Sequence, residues 1–520
     1  MMLSFPYLWL SFLLPLFLGI IAWGLGRYEK AVKALIDISA ISLLIPLVLV
    51  LYYYATGQIY KGIVDPLSIN LVKYKIGTFY FAVDGLSAPI VIGISIVTAF
   101  VAFYGIKYMK NRIEELKKEK VSAPNLGAYT FLYNLFAVTM LGIAYSTNLI
   151  EFYIFLEGTL ASSFLLIAYY GYGNRKRYSL LYFVWTHIGA VILLTGILYL
   201  GYVIGSFNYM TLSNGVLSPV GSLQAKLGEA AVAIALLMTI GLFVKMAIFG
   251  VHMWAPYTYA ESPTPISALL SSNLTGLAGY ALARFVFQYF PSIMLSWRPI
   301  LLGIAFLTLI YGGLLAVRQA DFKRFLAYSG ISQMGYMLLG LSTLTSYGIA
   351  GAMLIYLSHA IGKAILFMVS GVFITELGNL RNIKKMGGLA KMYPFTAALA
   401  LFGFMNLSGI PPTIGMWSEI LIVMGVVKSV ALSSLGGLIG FTFLLIVSLT
   451  ITATYSFVMM RRVFYGQMRG EVKEHEKIDG FKLSMLAIAV FGFVFFLYIN
   501  PLMNGLNHSA ISFIISFLGR

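Results

Sequence analysis

The chain has 520 residues, 60% of them hydrophobic and only 10% charged, with a net charge of +17 and no cysteine. A soluble protein carries about 25% charged residues, so this composition excludes an ordinary water-soluble enzyme and points to a polytopic membrane protein. The missing cysteines exclude disulfides, thiolate zinc sites, cysteine-held Fe–S clusters and a thiol nucleophile within the chain. Its positive charge is assigned to basic cytoplasmic loops facing anionic lipid headgroups, not to nucleic acid.

Apolar runs near or above 18 residues predict membrane helices, because about 20 residues cross ~30 Å of hydrocarbon. Fourteen spans follow in order: 4–26, 33–55, 80–106, 128–147, 149–170, 179–204, 229–250, 264–289, 299–317, 325–343, 347–375, 395–425, 433–460 and 483–500. No basic segment precedes the first span and no cleavage site follows it, so it reads as a membrane helix and not a signal peptide. Several spans exceed twenty residues, which predicts tilt or breaks. A tail over 508–519 is too short to cross.

With the N-terminus outside, the loops after odd-numbered spans collect twenty-five Lys and Arg residues and the opposite loops seven. That asymmetry predicts a multi-pass cell-membrane protein with both termini on the non-cytoplasmic side. Lys245, Arg284 and Lys363 fall inside spans. The loop between spans seven and eight departs from the pattern. Residues 251–263 should face the cytoplasm yet hold no Lys or Arg; they carry His252, Pro256 and Glu261. A buried or re-entrant connection is predicted there, since irregular backbone at membrane depth must be covered by protein or line a cavity.

The chain also reads as internally duplicated. Spans four to eight end in a lysine-bearing, proline-interrupted pair. Spans nine to thirteen end in a similar pair, where Gly409, Pro411 and Pro412 precede Glu419. Five helices per unit is odd, so the second copy is expected to be inverted, an arrangement that points to a transport path. The division is 1–127 (helices 1–3), 128–289 (first repeat), 298–460 (second, inverted repeat) and 461–520 (helix 14 and tail).

Six ordered segments carry a family resemblance. The run from His252 through Trp254, Pro256, Glu261, Pro263 and Pro265 to Leu270 resembles "HxWLPxAHxEAPTPVSALL" of the antiporter-like subunits of respiratory complex I, Mrp-type cation/proton antiporters and membrane-bound hydrogenases. Asp84–Ser87 resembles "DGLS", and Asn148 to Glu157 resembles the fifth-helix glutamate motif. Gln319 to Ser329 resembles "QxDxKRxLAYSS", His359 to Phe367 resembles "HAxxKAxLF", and Leu407 to Pro412 with Glu419 resembles "LSGxPPxxGF" and its following ionisable residue. The resemblance implies an all-α polytopic fold of about 14 transmembrane helices, with two inverted five-helix repeats and broken helices 7 and 12. It also implies a proton relay through Glu157, Lys245, His252, His359, Lys363 and Glu419. Glu157 and Lys245 would interact in the first half, and Glu419 would end the path toward one face. Tyr259, Glu261, Ser271, Thr275, Asp321, Lys323 and Tyr356 are expected to support it.

The physics of the pair supports a relay independently. At ~7 Å and an effective dielectric of about 20, attraction between Glu157 and Lys245 would be roughly 2.4 kcal/mol. Opening and closing such a pair can load or release a proton; the competing reading is a static salt bridge locking helices five and seven. His359 and Lys363 are i,i+4 and share a face with Tyr356; the competing reading is a packed polar seam. His187 is expected to make an interhelical hydrogen bond. Glu151 is expected at the surface, Lys323 and Arg324 as ordinary inside-loop charges, and Asp84 and Arg284 in helix-end contacts.

Two departures stand out. The family pattern has a lysine in helix eight where this chain has Gly276, and a second His where it has Tyr259. The bridge between halves is therefore expected to run through Ser271, Ser272, Asn273, Thr275 and water, or to be interrupted. No Walker loop, metal-ligand spacing or nucleophile–base set is present, so any redox step falls to partner subunits, where the resemblance implies Fe–S or Ni–Fe centres. No cofactor is expected in this chain. The readings that follow are a proton-translocating, or Na⁺-coupled, subunit of a redox complex with membrane and peripheral partners; an Mrp-type Na⁺/H⁺ antiporter subunit; and a membrane scaffold with a decayed relay.

Overall fold

Apolar runs in hydrocarbon have no water to meet their backbone N–H and C=O groups, so each run must bond within itself as a helix. The computed structural model describes residues 3–213, 216–219, 223–430, 435–469 and 475–518. Two cations of the charge tally, Lys473 and Arg520, lie outside the described residues, as does residue 519 at the end of the short tail.

The chain opens with α1 (Tyr7–Gly24), α2 (Glu29–Ser42) and α3 (Ile45–Ala55). The predicted second span is thus two helices, because Pro46 has no N–H to give the Ser42 carbonyl. Next come strands β1 (Ile63–Leu71) and β2 (Gly77–Val83), an antiparallel hairpin. Residues 80–87, expected to open span three, are instead the end of β2 and a turn in which Ser87 N donates to Asp84 Oδ1 at 2.9 Å. An apolar run that ends in a strand cannot be told from the start of a helix by periodicity. Helices α4 (Ala88–Lys118), α5 (Leu126–Tyr145), α6 (Leu149–Tyr170) and α7 (Arg175–Ile204) follow. The Asn125 and Asn148 side chains cap α5 and α6 by accepting from Ala128 N and Ile150 N. A second hairpin, β3 (Met210–Ser213) and β4 (Val216–Pro219), precedes the short α8 (Gln224–Leu227) and α9 (Ala230–Met246).

Helix α9 ends just past Lys245, where Ala247 takes a left-handed φ of +56°. After it come α10 (Ala255–Glu261), α11 (Thr264–Leu269) and α12 (Thr275–Ala281). Wide π-helical turns join and end this stretch at Leu270–Leu274 and Leu282–Phe287. Ala255, Pro256, Thr258, Tyr259 and Ala260 are buried, as the missing Lys and Arg of this connection predicted. The rest comprises α13 (Pro291–Arg318), α14 (Phe322–Ser342), α15 (Ser346–Glu376), α16 (Pro394–Leu407), α17 (Ile414–Val430), α18 (Leu435–Met460), α19 (Gly480–Leu497) and α20 (Ile499–Leu518). Breaks therefore fall in both places expected, after Lys245 and between α16 and α17.

Among the described residues, eleven helical segments are long and apolar enough to cross a membrane. The other three of the fourteen expected spans map to α9, α14 and α16–α17. α9 has 17 residues and α16 only 14. α14 is long enough, at 21 residues, but carries Lys323, Arg324, Ser329, Ser332 and Gln333. The stretch Thr264–Phe287 and α15 are wholly enclosed by protein, whereas most of α1 and α7 faces outward. α15 packs on α14, α16, α17, α4 and α11, so a polar group on it meets protein on every side. Arg284 forms a buried ion pair with Asp84, fastening the end of α12 to the start of α4. These are the helix-end contacts that the sequence reading gave both residues.

Candidate ion-translocation site

Tyr356, His359 and Lys363 lie at i, i+3 and i+7 of α15, hence on one face, and all three are buried. His359 Nε2 lies 2.8 Å from the Ser271 carbonyl. A carbonyl only accepts, so Nε2 carries the hydrogen and Nδ1 is left as the acceptor. That Nδ1 has no protein partner. Thr275 Oγ1 donates to the same Ser271 carbonyl at 3.1 Å. Ser271 sits in the first π turn, a widened turn of the kind that concentrates at functional sites. Tyr356 Oη donates to Asn273 Oδ1 at 3.4 Å. A Cβ at Gly276 would collide with the Tyr356 ring, so the tyrosine fills the space that a side chain from helix eight would need.

Lys363 Nζ donates to the Leu326 carbonyl at 2.7 Å and to Ser329 Oγ. Two of its three N–H groups are thereby used. Lys363, His359 and Ser271 converge over Gly330. A Cβ built there would lie 3.4 Å from Ser271 Oγ, 3.8 Å from Lys363 Cε and 3.9 Å from His359 Cε1. Buried polar groups without a protein partner are normally met by ordered water. Ser271 Oγ, Ser272 Oγ, Asn273 Nδ2 and His359 Nδ1 are four such groups around this junction.

From Lys363 the polar line continues along α14, where Ser329, Gln333 and Tyr336 recur at helical spacing. Gln333 Nε2 donates to the Leu407 carbonyl at 2.8 Å and to Tyr455 Oη at 3.1 Å, while its Oε1 has no protein partner. Tyr336 Oη and Thr452 Oγ1 are 3.1 Å apart. Glu419, at 8% exposure, lies beneath Gly409, whose φ is +61°. A Cβ at Gly409 would meet the Glu419 carboxylate, and the positive φ there itself favours glycine. Glu419 Oε1 is likewise buried without a partner.

The first half is built differently. Glu157 on α6 has its Oε2 3.2 Å from His187 Nδ1 on α7, the interhelical bond expected of His187. Glu157 and Lys245 make no direct salt bridge: among the described residues no carboxylate lies within 4.0 Å of Lys245 Nζ, which is buried without a hydrogen-bond partner, yet the Glu157 charge still acts on it across the longer gap that the pair was expected to span. Lys245 lies over the Tyr182 ring, 5.9 Å from Nζ to the ring centroid. His252 is buried between Phe249 and Tyr311, its Nδ1 unpartnered, and makes no hydrogen bond to another expected relay group among the described residues. Tyr259 Oη reaches the Leu270 carbonyl at 3.5 Å, next to Ser271.

At the other end of α14, Lys323 is fully buried and donates to the Ser262 carbonyl, 5.9 Å above the Tyr172 ring. The reading of Lys323 as an ordinary loop charge is thus corrected: the helix begins at Phe322 and turns Lys323 into the bundle, while Arg324 faces Tyr257 near the surface. Arg381 pairs with Asp321 at 2.9 Å and with Glu261 at 3.8 Å, joining the α10 end to the α14 start. Beside them, Thr264 Oγ1 donates to Tyr108 Oη at 3.0 Å, and Tyr108 and Tyr172 hydroxyls meet at 2.7 Å.

Glu151 is also corrected. It is not at the surface but 2% exposed, its Oε2 accepting from Thr147 N at 3.0 Å, because α5 packs along this side of α6 and Phe81 of β2 meets Phe155 one turn further on. Sequence reasoning overlooked Ser329, Gln333, Tyr336, Tyr455 and the Tyr108–Tyr172 contact. The Ser329, Gln333, Tyr336 spacing within a membrane helix is the signal that could have found three of them. Among the described residues no cluster of three or more His, Asp or Glu side chains could hold a metal ion.

The family model described as NADH:quinone oxidoreductase/Mrp antiporter, TM, matches residues 146–465. The chain belongs to that family. NAD(P)H-quinone oxidoreductase chain 4 2 of Thermosynechococcus vestitus is 31% identical over 402 residues, which is 76% of this chain and 70% of that one. A Na(+)/H(+) antiporter subunit of Alkalihalophilus pseudofirmus is 30% identical over 511 residues, 92% of this chain and 60% of the relative. A chain of respiratory complex I from Thermus thermophilus shares the fold, with a TM-score of 0.82 at 23% identity over 98% of this chain and 99% of that one. The matched segment contains five of the six sequence motifs, all but Asp84–Ser87, and it spans the positions of Glu157, Lys245, His252, His359, Lys363 and Glu419.

Proposed function

We propose that this chain is the proton-translocating membrane subunit of a multisubunit energy-converting redox complex, with Na⁺ as an alternative cargo. The supporting observation is the enclosed polar file from Ser271 through His359, Lys363, Ser329 and Gln333 to Glu419, whose unpartnered atoms mark where water would connect them. In this reading 128–289 and 298–460 are inverted repeats between the flanking segments 1–127 and 461–520. Both termini lie on the non-cytoplasmic side.

Each group has a chemical task. Lys363, with two N–H groups engaged by neutral acceptors, can release the third proton and take it back without a counter-ion to hold it. His359 Nδ1 takes up a proton and gives it back at the same nitrogen while Nε2 stays hydrogen-bonded to the Ser271 carbonyl, so the ring carries charge without turning. Lys323 and the Tyr108–Tyr172–Thr264 hydroxyls offer a route toward the basic-loop side, with Arg381, Asp321 and Glu261 holding its walls. Glu157 with His187, and Lys245 behind them, load the first half. Redox centres belong to partner subunits; this chain supplies buried proton sites and their order. A second reading, a gradient-driven antiporter subunit without redox chemistry, is favoured by the kinship to a Na(+)/H(+) antiporter subunit. Purification in mild detergent with mass spectrometry of the accompanying chains decides between them. Stoichiometric cluster-binding soluble subunits support the redox reading, and membrane subunits alone overturn it.

A further inference from the structure

A groove of about 500 Å³ opens between the 119–125 connection, the end of α6 and the start of α7. Phe164, Ala168, Tyr169 and Leu180 form its walls, and Arg175 and Lys176 stand at its rim. Tyr169 and Leu180 are exposed, and the same side of α7 continues through exposed Val184, Ile188 and Val191. In a membrane helix that strip meets hydrocarbon. The groove therefore has an apolar end open to the bilayer and a cationic end where the helix leaves it.

The cations there form no direct ion pair among the described residues, although the Glu119 charge acts on Arg175 from the end of α4. Among the described residues no carboxylate lines the groove. Arg175 Nε donates only to the Ala168 carbonyl, at 3.2 Å, and Glu119 is engaged with Arg112 at 3.7 Å. Neither Arg175 nor Lys176 forms an ion pair among the described residues. A second groove of similar size, about 480 Å³ between α2, α4 and α19, makes the contrast. It holds Lys33 and Lys107 but also Asp37 and Asp479, and Lys107 is already paired with Asp479 at 2.7 Å and Glu376 at 3.1 Å. The two grooves thus differ in charge: only the first presents cations beside an apolar wall with no carboxylate in its lining.

We propose that the α6–α7 groove binds an anionic phospholipid, its phosphodiester against Arg175 and Lys176 and a hydrocarbon chain along Phe164, Ala168 and Leu180. A lipid is favoured over free phosphate because the walls are apolar and open sideways to the membrane. Basic groups at a membrane surface typically favour anionic lipid about fivefold each. The inference does not depend on the relay, so either can fail alone.

Native mass spectrometry of the intact complex, titrated with phosphatidylglycerol or with phosphatidylcholine of the same chains, tests it. Phosphatidylglycerol should be retained at least about fivefold better, and Lys176→Glu should reduce it to the phosphatidylcholine level. Lys391→Glu, the same charge change at another exposed lysine, should leave the preference intact. Equal retention of both lipids overturns the proposal, as does an equal loss with Lys391→Glu. Displacement of the lipid by millimolar inorganic phosphate would instead make this a free-phosphate site. A neighbouring subunit cross-linking to a photoreactive residue at Leu180 would make it a protein contact.

Discussion

The two halves of the molecule hold their ionisable groups in different ways. In the second half, His359 and Lys363 sit on a helix that protein encloses on all sides, and Glu419 is nearly as well covered. In the first half, Glu157 keeps 28% of its side chain exposed on the outer face of α6, beside a half-exposed His187, with Lys245 unpartnered behind them. A charged group left against lipid costs roughly 2.5–3.5 kcal/mol on insertion scales. The second half is therefore complete within the chain. The first leaves a carboxylate and an imidazole partly open at the outer face of the bundle.

The sharpest way to break this comparison is to remove one lysine from each half. Lys363→Met should lower proton uptake by the reconstituted complex about 100-fold, the lower range of what a positioned acid–base group contributes. Its surroundings are closed and offer no substitute. Lys245→Met should cost less, about tenfold, because Glu157 and His187 remain as a hydrogen-bonded pair that can still exchange protons. A larger loss for Lys245→Met would reverse the ranking of the halves. Full activity in both variants would leave only the scaffold reading standing.

How far the sequence carried this picture depends on the cost of each feature. Lys245 and Lys363 were visible because an ammonium in an apolar run is expensive, and the helix breaks because Pro256, Pro263, Pro411 and Pro412 have no N–H to continue a helix. Lys323 was misread since it stands in a run with Arg324 and Arg318, where only helical phase separates a buried cation from a surface one. Glu151 was misread for a related reason: its phase relative to Glu157 was right, but how many helices surround α6 is not written in one helix. Gln333 and Tyr455 are neutral, so their burial leaves no charge signature, and aromatic residues in membrane helices pack by default. Of the two hairpins only residues 80–83 of β2 were drawn into a span, because they run on into an apolar stretch that a helix fits equally well; β1, β3 and β4 fall in the connections between spans.

The junction between the halves gives a subtler probe. A methyl at Gly330 would make only ordinary contacts, 3.4–3.9 Å from Ser271 Oγ, Lys363 Cε and His359 Cε1, so Gly330→Ala should assemble normally. It would nevertheless occupy the space in which Ser271 Oγ and His359 Nδ1 lack protein partners. We expect about a tenfold loss of proton uptake with unchanged complex yield, since small displacements in a relay are costly. Gly303→Ala, where nothing lies within 4 Å, should be silent. Equal behaviour of the two variants would mean that the halves are not connected through this space.

The smallest effect on transport is expected at the Asp84–Arg284 pair, which joins the first half's frame without lying on the file. Asp84 precedes α4, outside the spans. Burial pushes its carboxyl up, but the Arg284 guanidinium more than offsets this and holds it below the ordinary value of 3.8. A depressed carboxylate contributes stability that is fully present above the unfolded-state value and is lost as pH falls through the folded one. Between pH 5 and 8 the pair should not titrate. Asp84→Asn should therefore lower stability by about 3 kcal/mol, the cost of leaving a buried cation alone, and by the same amount across that window. Proton uptake by the surviving protein should change less than about twofold, because no relay proton passes through Asp84. Thermal unfolding of the two forms at pH 5, 6.5 and 8 checks this. A gap that closes toward pH 5 would mean that Asp84 titrates in the working range and belongs to the transport path after all.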